Sequence, residues 1–95
     1  MIVRIVKLSF EENKVKDFLI LFQEIKTTIR TFDGCLKMKL LNDLHRPNVF
    51  FTYSEWESEA ALNKYRFSEF FKSTWIKTKI LFSDKAEAWS SNIVD

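Results

Sequence analysis

Hydrophobic and polar positions along this chain alternate with two periods, and the switches between them mark its elements. Residues 2 to 10 alternate imperfectly. Ile2, Val6, Leu8 and Phe10 share one parity, while Val3 and Ile5 open the other, which ends polar at Lys7 and Ser9. The pattern predicts a strand buried on both faces. Glu11, Glu12 and Asn13 interrupt it and place negative charge or a capping side chain at a helix start. From there Val15, Phe18, Leu19, Phe22, Ile25 and Ile29 recur at intervals of three and four, the mark of an amphipathic helix, and Ile20 and Leu21 widen its apolar face. Gly34, the only glycine, follows this helix and is expected to supply its left-handed stop.

The period then returns to two. Cys35 to Asn42 predicts a second strand with Leu36, Met38 and Leu40 on one face. Asp43 to Asn48, with the only proline, is a polar turn into a third strand, Val49 to Trp56, rich in β-branched and aromatic residues. Ser58 is placed to cap a helix over Glu59 to Arg66, which sets Leu62 and Tyr65 on one side. A second helical piece follows Ser68, with Phe71, Trp75, Thr78 and Phe82 on one face. Ala86 to Val94 predicts a last strand. The order β-α-β-β-α-β fits an α+β, ferredoxin-like fold, a four-stranded antiparallel sheet with helices on one face. The bare face is expected to carry Val6, Leu8, Phe10, Phe51 and Tyr53, an apolar patch that needs cover. Face-to-face pairing of two sheets in a homodimer is the simplest cover.

Composition sharpens that expectation. A chain of 95 residues suits a single domain, residues 1–95, yet 46% of it is hydrophobic and 16% aromatic. That is more than one small core hides, which points to a second buried surface: a homo-oligomer interface, an aromatic ligand pocket, or both. The net charge of +2 comes without a basic stripe, which argues against nucleic acid as a partner. Cys35 and His45 are the only residues of their kinds, so neither a disulfide within the chain nor a metal site is expected. The longest apolar run, Phe18 to Phe22, is far short of a membrane span, and the N-terminus carries no basic leader or h-region. A soluble, cytoplasmic protein is expected.

The Phe32-Asp33-Gly34-Cys35 turn, the Trp56-Glu57-Ser58 strand end and the Ala61-Leu62…Tyr65…Ser68…Phe71 run resemble the antibiotic biosynthesis monooxygenase family. Asp33 stands where that turn usually has proline. The resemblance implies a dimeric α+β barrel with a cavity between the helices and the covered sheet face. Its expected lining is Ile5 and Lys7 from the first strand, Phe50, Thr52, Ser54 and Trp56 from the third, and Tyr65, Phe71 and Trp75 from the helices. Haem-degrading members carry an asparagine, a tryptophan and a ligating histidine at positions that fall here on Lys7, Tyr65 and Trp75, so haem degradation is disfavoured. Anthrone-oxygenating members place an asparagine four residues before the strand-end tryptophan; here Trp56 is present and Thr52 replaces the asparagine.

Two readings follow. One is a monooxygenase that uses no cofactor and oxidises a small electron-rich aromatic of the anthrone or quinol type. Trp56 and Trp75 position the ring, Thr52 or Tyr65 hydrogen-bonds its oxygens, and Lys7 favours its anion. The other is a non-catalytic dimer of the same fold that binds a small ligand or regulates. Each candidate has a plain alternative: Trp56 as a core residue whose indole finds one partner, Trp75 with Phe71 as core packing, Lys7 as a lysine that reaches solvent.

Overall fold

The computed structural model describes residues 1–95. Its elements are β1 (Ile2–Ser9), α1 (Val15–Arg30), β2 (Cys35–Asn42), β3 (Val49–Trp56), α2 (Glu59–Arg66), α3 (Glu69–Lys79) and β4 (Glu87–Asn92), with a short 3₁₀ turn over Glu12–Lys14 before α1. The strands form one sheet in the order β2-β3-β1-β4, and every neighbouring pair is antiparallel. All three helices lie on one face. The α+β, ferredoxin-like architecture is thus the one the element order predicts.

Local chemistry explains the boundaries. Ser58 and Ser68 cap α2 and α3, each hydroxyl accepting a backbone N–H, from Ala61 and Phe71 respectively, at 3.1 Å. No side chain caps α1; of the two roles expected of Glu11, Glu12 and Asn13, the acidic one is met by Glu12 in the first turn of the 3₁₀ segment. Gly34 does adopt a left-handed φ of 87°, but it does not stop the helix. The α1 backbone already turns at Thr31 and Phe32, whose N–H groups bond Thr27 and Ile29. Gly34 instead occupies the third position of the turn closed by Cys35 N–H to Phe32 C=O at 2.9 Å, where a type II turn requires positive φ. Asp43 holds the β2–β3 turn by accepting the N–H groups of His45 and Arg46 through Oδ2.

The core sits between the sheet and α1. Phe10 and Phe18 stack with ring centroids 4.1 Å apart, and Leu8, Phe22, Ile29, Met38 and Phe50 complete the buried cluster. On α1 it is Leu21, not Leu19, that is buried with Phe18 and Phe22; Leu19 and Ile20 face solvent. A register shift between Cys35 and Lys37 bulges β2 and leaves Leu36 exposed.

The register corrects the face assigned to β1. Arg4 pairs with Ser54, Val6 with Thr52 and Leu8 with Phe50, so these residues share a face with Trp56, beneath the helices. Val6, Leu8 and Phe10 therefore belong to the covered side, with Leu8 and Phe10 in the core. Ile5 and Lys7 project from the open face with Tyr53 and Phe51, their partners on β3, and Lys7 pairs with Glu87 at 3.7 Å. The cause is the composition of β1. As a central strand apolar on both sides, with one cation on each parity, it carries no polar face to fix which side is in.

Candidate functional site

Between the inner face of the sheet and the helices lies a cavity of about 350 Å³. Its floor is made by residues of β1, β2, β3 and β4, among them Arg4, Val6, Met38, Thr52, Ser54, Trp56 and Ala88. Phe22, Ile25 and Ile29 of α1 form one wall; Tyr65 and Arg66 of α2 and Phe71, Thr74 and Trp75 of α3 form the other. Phe67, 68% exposed, stands at the rim.

The second wall is a relay of rings. Trp56 stacks on Tyr65 at 4.9 Å, Tyr65 meets Phe71 edge-on at 5.2 Å, and Phe71 lies parallel to Trp75 at 5.8 Å. Trp56 is only 1% exposed, and its indole N–H donates to Ser54 Oγ at 2.9 Å. Ser54 Oγ–H in turn donates to the Arg4 carbonyl at 3.4 Å, so the Ser54 hydroxyl is engaged within the protein. The hydroxyls of Thr52 and Tyr65 make no hydrogen bond within the chain and remain available to a ligand.

Electrostatics give the cavity one sign. Burial, and after it the charge that Cys35 carries once ionised in alkali, push the Tyr65 phenol well above its ordinary value, so it is a proton donor at neutral pH and not a base. The charged residues in the lining are Arg4 and Arg66; no carboxylate, histidine or cysteine joins them. Burial first, and then the charge of Arg66, hold the Arg4 guanidinium below its ordinary value, yet an arginine stays cationic at neutral pH. Arg4 Nη1–H donates to Ser90 Oγ at 2.8 Å and Arg66 Nη1–H to Asn63 Oδ1 at 3.5 Å, both neutral partners. Cys35 lies outside the lining, its thiol raised by burial, and His45 is exposed in the β2–β3 turn. No group of three or more acidic, histidine or cysteine side chains gathers anywhere as metal ligands.

The positions expected from the sequence divide accordingly. Thr52, Ser54, Trp56, Tyr65, Phe71 and Trp75 come together around the cavity. Phe50 shares their face but packs below it, in the core with Phe10 and Phe18. Ile5 and Lys7 stand on the far side of the sheet, so Lys7 cannot meet a ligand held here. The sequence alone does not mark Arg4 and Arg66 as cavity residues. The available signal was Arg4 itself, a lone cation between Val3 and Ile5 in an otherwise apolar strand.

Comparison with known proteins agrees with this fold. The structure superimposes on that of an antibiotic biosynthesis monooxygenase with a TM-score of 0.93, at 21% identity over 100% of both chains. A conserved protein from Methanosarcina mazei Go1 gives 0.89 at 21% identity, over 96% of this chain and 91% of that one. Rv0793 from Mycobacterium tuberculosis gives 0.90 at 16% identity, over 99% of this chain and 95% of that one. At such identities the likeness carries the fold alone. Among curated proteins none matches the chain in sequence. The family model described as antibiotic biosynthesis monooxygenase matches residues 1–74, a span that includes Trp56, Tyr65 and the cavity wall through Phe71, and the chain belongs to that family.

Proposed function

We propose that the protein is a cofactor-independent monooxygenase that oxidises a small electron-rich aromatic, of the anthrone or hydroquinone type, inside this cavity. The observation that carries the reading is the cavity itself: a ring-lined space of about 350 Å³ with the free hydroxyls of Thr52 and Tyr65, in a member of this family. A volume of that size suits a small aromatic. In an anthrone oxidation the methylene carbon becomes a carbonyl, one oxygen atom of O₂ enters the product and the other leaves as water. The substrate supplies all the electrons, once it has lost a proton. Phe71 and Trp75 hold the ring, Trp56 stacks behind Tyr65 and fixes it, and Tyr65 donates a hydrogen bond to the oxygen on which negative charge develops. The open sheet face, with Ile5, Phe51 and Tyr53 on it, supports a homodimer built through that surface.

Dioxygen uptake by metal-free protein with a panel of anthrones and hydroquinones tests the reading. Uptake above the spontaneous rate is expected, reduced about tenfold or more in Tyr65→Phe, the loss of one hydrogen bond worth about 1.4 kcal/mol. Trp56→Phe, which keeps an aromatic ring in the core, should also lower it. Thr52, in place of the asparagine of anthrone-oxygenating members, favours a second reading: a ligand-binding dimer without turnover. Tight binding of the panel with no uptake selects that one.

A further inference from the structure

The inner face of the sheet has a charge pattern that packing alone does not explain. Every acidic side chain on the strands, Glu55 and Glu87, lies on the open face, where Glu55 accepts a hydrogen bond from Tyr53 and Glu87 pairs with Lys7. Arg4 is the single charged residue on the covered face. Arg66 approaches the same cavity from the last turn of α2. Neither arginine takes part in any ion pair of the molecule. Both line one partly desolvated space without a counter-ion from the protein, an arrangement that favours an anion between them. The cavity also offers no group able to take a proton at neutral pH, since its polar side chains are hydroxyls and guanidinium groups.

We propose that the cavity takes its ligand as an anion: a planar aromatic bearing a carboxylate, phenolate or enolate oxygen, with the ring against Tyr65, Phe71 and Trp75 and the charged oxygen held by Arg4 and Arg66. The inference rests on the reading that this cavity is the ligand site and names the class of molecule that enters it. A guanidinium donates through several N–H groups in a fixed fork, and the groups that Arg4 and Arg66 do not spend on Ser90 and Asn63 remain for such an oxygen. With no base in the lining, the substrate arrives ionised or gives its proton to water, and the paired cations favour the ionised form.

Isothermal titration with 2-naphthoate and its uncharged counterpart 2-naphthamide separates the charge from the ring. The naphthoate should bind about tenfold or more tightly than the amide, with an affinity that falls as salt rises. Arg4→Met and Arg66→Met, which keep the apolar stems, should each weaken naphthoate about tenfold and the amide, whose carbonyl is a weaker acceptor, only about twofold. Amide binding retained within about twofold also shows that the variants are folded with the cavity intact. Equal affinity for the two compounds in the unaltered protein, or full naphthoate affinity in both variants, overturns the anion site while the cavity stands as a ligand site. Failure of both compounds to bind the unaltered protein overturns the anion site and the ligand cavity together.

Discussion

Gly34 shows how much one position decides. Its φ of 87° lies where a side chain is strained, and a Cβ there would sit 2.5 Å from the Cβ of Ala61 on α2. Its carbonyl also accepts the Glu57 N–H at 2.9 Å, tying the turn before β2 to the end of β3. Gly34→Ala is therefore expected to cost about 2 kcal/mol or more in urea unfolding, from backbone strain and contact together. Adding Ala61→Gly should recover the contact part and leave the strain, so a double-mutant cycle separates the two. Ser54 decides in another way. As the partner of the buried Trp56 indole, it keeps a polar group satisfied, and Ser54→Ala should destabilise by about 1–3 kcal/mol through an unpaired N–H. The sequence made Gly34 conspicuous as the sole glycine, but not its neighbour Ala61, because that contact joins residues far apart in the chain.

At the scale of elements, α2 contributes Tyr65 and Arg66 to the cavity and brings a pH dependence with it. Eight residues long, it delivers Tyr65 onto Trp56 and against Phe32, whose ring meets it edge-on at 5.2 Å. Packing there raises the Tyr65 phenol above the value of 10.0 that the unfolded chain keeps. In alkaline solution the folded chain holds a proton that the unfolded chain releases. The associated stability is complete below pH about 10 and is lost as pH rises above it. Urea midpoints at pH about 8 and about 11 should fall steeply for the unaltered protein and less for Tyr65→Phe. Tyr53, raised by its hydrogen bond to Glu55, contributes the same sign and stays in the variant, so the slope shrinks without vanishing. The α2 and α3 starts were legible from Ser58 and Ser68, since a cap is a local event. The facing of β1 was not, because its inward and outward residues are chemically alike.

For the molecule as a whole, the sheet edges and the open face make opposite offers. The edge strands β2 and β4 carry Lys37, Lys39 and an exposed, largely polar run over Glu87–Asn92, features that discourage edge pairing. The open face presents Val3, Ile5, Phe51, Leu41 and Trp89, the last 48% exposed. The proposed homodimer uses this face, with two sheets stacked across it. Light scattering at micromolar concentration should return twice the mass of one chain, and Phe51→Glu, which places a charge at the centre of the face, should return one. A monomer before substitution, or a dimer that survives it, removes the face from consideration as the interface.

What the sequence determined by itself is the set of elements and their order, since period, capping serines and the single glycine act over a few residues each. It also placed Thr52, Ser54 and Trp56 on a common face of β3, because alternation along a strand is a local rule. Only the tertiary structure decided which side of β1 joined them. That choice belongs to the pairing of Arg4 with Ser54 and Leu8 with Phe50, contacts that no short window of sequence contains. It removed Lys7 from the cavity and put Arg4 there in its place, exchanging a cation paired on the open face for one without a counter-ion on the covered face.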